Sequence, residues 1–203
     1  MQKDMSNMQD YAGASVSSNR GMLEQMSIQG SYTVQCFDKD GNIKWSDDIH
    51  NLITDEGKKY LLNCGLAGTG VQTYSSAYMG LISSVGYTAV AVGDTAAQIN
   101  GSNGWKEAST STNYPAWTGA TRGTPSFGAA AKNTNVDKST SSAVSFTNFT
   151  TGGTVKGAII VINGTTAAGN TTGVLFSAGL FSGGDKIVAV GDTLSCNYTA
   201  SLT

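Results

Sequence analysis

The chain has 203 residues, enough for one ordinary domain or for one domain and an arm. Charged residues make up 13% and the formal net charge is -2, so the positive charge typical of a nucleic-acid-binding protein is missing. Hydrophobic residues make up 39%, which argues against disorder of the whole chain. With 26 Gly, 2 Pro and abundant Ser and Thr, the composition predicts an all-β fold of short strands joined by tight turns.

Neither a secretion signal nor a membrane span is visible in the sequence. No charged segment followed by an apolar one lies near Met1, and no stretch approaches the roughly 20 apolar residues of a bilayer span. We therefore expect a soluble protein made in a cytosol. The cysteines Cys36, Cys64 and Cys196 are odd in number and far apart, which indicates buried core residues and neither a disulfide framework nor a zinc site. No cofactor or metal is predicted.

Residues 1–30 lack a sustained period of either a strand or a helix. They are either a disordered tail or an extended arm that becomes ordered on a partner. Soft apolar side chains fit irregular grooves and favour the arm, so we predict an arm over residues 1–30 and a folded domain over 31–203. The arm residues predicted to contact the partner are Met5, Met8, Tyr11, Met22, Leu23 and Met26.

Two apolar runs flank Asp38-Lys39-Asp40-Gly41-Asn42 and predict a β-hairpin. A calcium-binding loop is the alternative, but Gly41 is fourth from Asp38 where an EF-hand needs its Gly at the sixth place. The sequence predicts the one helix of the domain over residues 54–65. Thr54 can cap its start, and Gly65 can end it in the left-handed conformation. The predicted apolar face of this helix consists of Tyr60, Leu61 and Cys64.

The sequence predicts a series of strands from residue 78 onwards. Apolar runs indicate strands over residues 78–82, 87–92, 143–149, 155–163, 174–181 and 187–190, and residues 193–202 alternate as a half-buried strand does. Gly- and Asn-rich turns separate them, and Ala-Val-Gly-Asp-Thr occurs at both 91–95 and 189–193 as a sharp corner. This spacing predicts an antiparallel β-sandwich or jelly-roll-like domain.

The polar loop over residues 101–123 carries Trp105, Tyr114 and Trp117. These aromatic residues either stack on a sugar, a base or a partner protein, or they close a small cluster of their own. We include all three among the candidate partner-binding residues.

Residues for catalysis are sparse. His50 is the single histidine, and no nucleophile elbow or metal-binding motif is present. A glycosidase pair could be hidden among Asp47, Asp48, Glu56 and Glu107, because such pairs assemble across sequence distance. Without a visible acid/base pair, we predict that the protein is not an enzyme.

Several short motifs follow one another in a fixed order. They are His-Asn-Leu-Ile-Thr-Asp-Glu-Gly-x-x-Tyr-Leu-Leu at 50–62, Tyr-Met-Gly-Leu-Ile at 78–82, Gly-Tyr-Thr-Ala-Val at 86–90, Gly-Asp-Thr at 93–95, Gly-Trp-x-Glu at 104–107 and Ala-Val-Gly-Asp-Thr-Leu with an alternating strand at 189–202. In this order they resemble a family of tailed-bacteriophage virion structural proteins. The resemblance spans residues 31–203 and leaves the arm uncovered.

The resemblance implies a structural component of a phage particle with no catalytic site. We expect a capsid decoration or cement protein on the head surface, assembled in the host cytoplasm, that binds the major capsid protein or other virion subunits and forms a homotrimer. Neither nucleic acid nor a membrane is an expected partner. The alternatives are a tail-fibre or receptor-binding component, with Trp105, Tyr114 and Trp117 exposed to a host glycan or protein, and a tail-tube or adaptor subunit.

Overall fold

The computed structural model describes residues 27–66, 70, 72–100, 105–109, 112–132 and 136–203. Most of this part of the chain is antiparallel sheet, so the prediction of an all-β fold with a short helix is confirmed. In chain order the elements are β1 (Ile28–Phe37), β2 (Ile43–Ile53), α1 (Asp55–Gly65), β3 (Ala77–Ser83), a 3-10 turn (Ala96–Gln98), β4 (Ala116–Trp117), β5 (Ala131–Lys132), β6 (Val136–Ser139), β7 (Val144–Phe146), β8 (Phe149–Thr151), β9 (Gly153–Ile162), β10 (Val174–Leu180), β11 (Lys186–Val188) and β12 (Thr193–Leu202).

The strands form a ten-stranded sheet in the order β11-β9-β10-β2-β1-β12-β6-β5, with β3 also paired to β9 and β7 also paired to β12. Strands β4 and β8 form a separate pair. Residues 121–128 join the two sides of the large sheet. On the β3 side, Met79 and Gly123 exchange backbone hydrogen bonds of 2.8 and 2.9 Å; on the β6 side, the Gly128 amide donates to the Ser139 carbonyl at 3.0 Å. This segment therefore contacts both sides of the large sheet through a few backbone hydrogen bonds. A sandwich or jelly-roll stays a prediction.

The predicted β1–β2 hairpin is confirmed. The Asp38 carboxylate accepts hydrogen bonds of 2.9 Å from the amides of both Asp40 and Asn42, and Gly41 takes the positive φ of 86° that closes the turn. Strand β1 begins at Ile28, so the predicted domain start at residue 31 is too late by three residues. Pairing with the end of β12 extends the strand in this direction. The rest of the predicted arm, residues 1–26, lies outside the described residues.

The helix is confirmed, and its predicted apolar face is confirmed at Tyr60 but wrong at Leu61 and Cys64. The Thr54 hydroxyl accepts the Gly57 amide at 3.0 Å as an N-cap. Gly57 and Tyr60 are the buried residues, whereas Leu61 and Cys64 are exposed. The reason is close packing on β10, where a Cβ at Gly57 would lie 2.3 Å from the Phe176 carbonyl oxygen.

The end of the helix also differs from the prediction. Gly65 is the last helical residue and has no positive φ. The following residue, Leu66, is extended and its amide donates to the Leu62 carbonyl at 2.9 Å, which satisfies one terminal carbonyl without a left-handed residue.

Strand β9 is buried on both faces and separates two hydrophobic cores. Ile160 and Ile162 point into the main core between β1, β2, β3, β10 and β12, whereas Ile159 and Val161 point into a second core. Described residues of the segment 84–109 cover this second core. The predicted strand over residues 87–92 is wrong, because that stretch is irregular and lies in this covering layer.

Both Ala-Val-Gly-Asp-Thr corners use the same hydrogen bond. Asp94 accepts the Ala91 amide at 2.9 Å, and Asp192 accepts the Ala189 amide at 2.7 Å. The predicted glycine conformation holds in the second corner, where Gly191 has a φ of 85°, and is absent from the first.

The predicted strands at the end of the chain are confirmed, with one division. The run 143–149 forms two strands, β7 and β8, because Asn148 breaks it with a φ of 57°. In β12 the predicted inward side is buried at Leu194, Cys196 and Tyr198. Cys36 and Cys196 are buried as predicted, whereas Cys64 is exposed at the end of the helix.

Candidate functional site

A cavity of about 800 Å³ opens at one end of the large sheet. Its walls come from α1, the segment 124–130, β3, β6, β9, β10 and the paired ends of β1 and β12, and they are mainly apolar. The residues that the following argument uses are Ile28, Tyr60, Ala77, Lys138, Tyr198, Ala200 and Leu202. We call this cavity the end pocket. Its volume lies within the range of about 300 to 1,000 Å³ typical of ligand-binding pockets.

Local sequence rules explain how the walls of the end pocket arise. Helix α1 packs closely on β10 because Thr54 caps it and Gly57 has no side chain at the contact. This packing makes Tyr60 part of the cavity wall. The alternation of β9 points Ile160 and Ile162 to the same side. Ala77 on β3 pairs with Ile162 in the sheet and also lines the pocket.

Two tyrosine hydroxyls at the end pocket differ in their hydrogen bonding. The Tyr198 hydroxyl accepts from the Asn51 side-chain amide at 3.2 Å, and burial raises the pKa of Tyr198 to about 12. The Tyr60 hydroxyl is buried and makes no hydrogen bond of normal geometry with the described residues, although the side chains of Cys64 and Asn163 are near it. Burial raises the pKa of Tyr60 as well, so both side chains are neutral hydroxyls at pH 7.

The rim of the end pocket carries a positive charge and the start of the folded domain. Lys138 is the charged residue among the described lining residues, and its ammonium donates to the Gly128 carbonyl at 2.9 Å. Ile28 and Leu202 also line the pocket and are paired in the sheet. Since Ser27 exchanges backbone hydrogen bonds of 3.0 Å with Thr203, residues 1–26 join the domain beside this rim.

The structure buries two of the three predicted aromatic contact residues. Trp105 is 1% exposed in the second core and donates its indole N–H to Asp94 at 2.8 Å. Trp117 is 5% exposed in the main core, and its indole N–H donates to the Thr121 carbonyl at 2.9 Å. The interpretation of these rings as exposed contacts is therefore wrong, and they do not form one cluster either. Tyr114 remains exposed at 41%.

Glu107 and Arg122 form a buried ion pair and do not line the end pocket. Both side chains are fully buried, and the guanidinium binds the carboxylate in a two-pronged arrangement with N–O distances of 2.9 and 2.8 Å. The Gly169 amide donates to Glu107 at 2.6 Å, and Arg122 donates to the Asn170 carbonyl at 2.7 Å. Burial raises the pKa of the Glu107 carboxyl, and Arg122 opposes that rise. The pair therefore connects the three segments that contain Glu107, Arg122 and Gly169.

The sequence alone did not predict this pair, although it contained a signal. Arg122 is the one arginine in residues 31–203, and it lies in a loop rich in Gly, Thr and aromatic residues. Long charged side chains are rarely retained in such surroundings unless they are paired.

The other carboxylates considered for a glycosidase pair are held by separate structural partners. Asp47 binds Lys186 at 2.7 Å, and hydrogen bonds from Lys186, Ser182 and the chain outweigh its burial and lower its pKa. Asp48 accepts from the Thr33 hydroxyl at 2.8 Å. Glu56 accepts backbone amides from the second-core side at 3.2 and 3.3 Å. His50 is exposed on β2.

Comparison of the chain with protein-family models, with curated proteins and with solved structures finds no match. In the described part of the chain, no three His, Cys, Asp or Glu residues lie together as a metal site requires. Helix α1 is too short and too polar to cross a membrane, and the described residues contain no other candidate helix. The predicted arm contacts Met5, Met8, Tyr11, Met22, Leu23 and Met26 lie outside the described residues.

Proposed function

We propose that this protein is a structural component of a tailed-bacteriophage particle, where it binds neighbouring subunits as a head decoration or cement protein. The observation that carries the proposal is the end pocket, an apolar cavity of about 800 Å³ beside the point where the Met-rich N-terminal segment joins the domain. An apolar cavity and an apolar segment together suit protein docking, because burial of apolar surface drives most protein association. The motif order described above supplies the phage context.

The way the chain uses its charges supports docking over catalysis. Glu107, the most buried carboxylate among the former catalytic candidates, is saturated by Arg122 and the Gly169 amide. The lining of the end pocket contributes hydroxyls and the Lys138 ammonium to an otherwise apolar wall. Such a surface recognises shape and apolar area.

The hydrogen bonds of residues 121–128 support a role in which the domain bridges neighbouring subunits. Residues 121–128 hydrogen-bond to both β3 and the β6 side, so the sheet has partners on both of these sides. Backbone groups that are paired at a sheet edge are less available to other chains and resist local opening. A rigid domain of this kind can bridge lattice subunits without rearrangement.

The receptor-binding alternative depended on three exposed aromatic side chains. Trp105 and Trp117 are buried, so Tyr114 is the one of the three that is available to a receptor. A Tyr114→Ala variant separates the two functions. Under the cement proposal this variant binds heads as the unchanged chain does, and under the receptor proposal it reduces adsorption of particles to cells.

The test uses phage heads that lack this protein. We expect the purified full chain to co-sediment with these heads up to a fixed ratio of copies per lattice unit and to raise the temperature at which the heads release DNA. A map of the intact particle should place its density on the head surface. Density on a fibre or in the tail tube, or failure of the native chain to bind heads, would contradict the proposal.

A further inference from the structure

We infer that the end pocket receives Met22, Leu23 and Met26 from the N-terminal segment of a second copy of this chain, so that neighbouring copies are joined by exchanged segments. This inference rests on the proposed structural function and names the partner of that same site. It assigns a role to both the cavity and the cluster of Met and Leu residues just before the domain.

The first argument is apolar complementarity. The sequence Met22-Leu23-Glu24-Gln25-Met26 carries three large apolar side chains within five residues. Methionine is flexible and polarisable, so it fills irregular cavities better than a branched side chain does. The end pocket is lined mainly by apolar residues and has room for several such groups at about 800 Å³.

The second argument is the place where the segment joins the domain. Ser27 exchanges backbone hydrogen bonds with Thr203, and Ile28 and Leu202 line the end pocket. Residues 22–26 are therefore connected to the domain at the rim of this cavity.

The third argument is charge. Glu24 is the one charged residue in the segment 22–26, and Lys138 is the charged residue among the described lining of the end pocket. Lys138 lies at the rim, where its ammonium already reaches the Gly128 carbonyl. An ion pair at this exposed position would fix the register of the segment while adding little to its affinity.

Geometry favours a second copy as the source of the segment. Ile28 is itself part of the pocket wall, and β1 runs from it into the sheet. For Met22 and Leu23 of the same chain to enter, the chain would have to reverse within residues 22–27, which contain no Gly, Pro, Asn or Asp. Met22 lies five residues before Ser27 and can reach at most roughly 18 Å from it, so the accepting copy has to place the rim of its own end pocket against this one.

The experiment uses two full-length variants with complementary defects. The segment variant carries Met22→Ser, Leu23→Ser and Met26→Ser and keeps the native pocket. The pocket variant carries Ala200→Trp, which fills the end pocket from β12 and keeps the native segment. Ala143→Trp, at an exposed position outside the pocket, is the matched control. Thermal unfolding and near-UV circular dichroism establish that each variant is folded.

Association is measured by sedimentation velocity over a range of protein concentrations. We expect the native chain and Ala143→Trp to form oligomers, and each complementary variant to dissociate at least tenfold more readily. Mixed in equal amounts, the two variants should form one-to-one heterodimers, because the intact segment of one meets the intact pocket of the other. Cross-linking between position 23 of one variant and the pocket of the other should identify the contact.

Three results would overturn the inference. The native chain could be monomeric at every concentration, both variants could assemble as the native chain does, or the mixture could fail to associate, which indicates docking within one chain. If the Ala200→Trp variant does not fold, the segment variant decides the question together with a cross-link from position 23 of one native chain to the end pocket of another. Head binding by the native chain is measured separately, so segment exchange can fail while the cement proposal stands.

Discussion

The buried polar atoms of the Glu107–Arg122 pair and of the end pocket differ in their hydrogen bonding. At the ion pair, the carboxylate and the guanidinium are saturated by each other, by an amide and by carbonyl oxygens. In the wall of the end pocket, the Tyr60 hydroxyl is buried near the side chains of Cys64 and Asn163 without a hydrogen bond of normal geometry in the described chain. The comparison shows that the buried ion pair is fully hydrogen-bonded and connects distant segments, whereas one buried neutral hydroxyl in the pocket wall is tolerated without a partner.

The largest expected effect comes from breaking the saturated site. Arg122→Met leaves the Glu107 carboxylate buried without its cation, so we expect the free energy of unfolding to fall by about 3 to 5 kcal/mol. Urea denaturation followed by tryptophan fluorescence measures the change. The matched control is Lys156→Met, which breaks a more exposed pair with Asp185 and should cost less than about 1 kcal/mol.

A double variant sharpens this prediction. Glu107→Leu combined with Arg122→Met removes both charges, so it should recover part of the stability lost by Arg122→Met alone. Equal losses for Arg122→Met and Lys156→Met would mean that the buried pair fastens no more than a surface pair does, and the first half of the comparison would be wrong.

An intermediate effect is expected where the fold supports the pocket wall. The Thr54 hydroxyl accepts the Gly57 amide and donates to the Leu175 carbonyl, which holds α1 and therefore Tyr60 in place. Thr54→Ala should lower the free energy of unfolding by about 1 to 2 kcal/mol. Differential scanning calorimetry measures it, with the exposed Thr147→Ala as control. A loss no greater than that of the control would show that the cap is dispensable.

The smallest effect has the opposite sign. Tyr60→Phe removes the hydroxyl without a partner, so we expect the stability of the dissociated chain to stay unchanged or to rise by up to about 1 kcal/mol. Tyr198→Phe, which loses the hydrogen bond from Asn51, should instead cost about 1 kcal/mol. Urea denaturation at low protein concentration compares the two. A larger loss for Tyr60→Phe would reveal a strong partner of its hydroxyl and weaken the comparison.

The sequence predicted correctly the turn and the helix start that depend on hydrogen bonds between residues close together in the chain. The β1–β2 turn depends on the carboxylate of Asp38 and the positive φ of Gly41, and the start of α1 depends on Thr54, all within a few residues of the structure that they determine. The alternation in β12 likewise reports a strand with one buried side. These features followed from sequence because their hydrogen bonds and periodicity are contained in short windows.

The remaining features depend on residues that are far apart in the chain. Glu107 gains its partners from Arg122 and from the segment around Gly169, 15 and 62 residues away. Trp105 is buried because the second face of β9 needs a cover, which no window around the tryptophan reveals. The end pocket itself combines α1, β3, β9 and β12, so its existence could not be derived before the strand order was known.

The pairing of β1 with β12 along their full ten residues also has a consequence for biosynthesis. Strand β12 follows all the other described strands in the chain, so a growing polypeptide on the ribosome presents one side of β1 without its partner until β12 has been translated. The unpaired backbone groups on that side of β1 can pair with another nascent chain and cause aggregation. The domain therefore completes its folding only after β12 has left the exit tunnel.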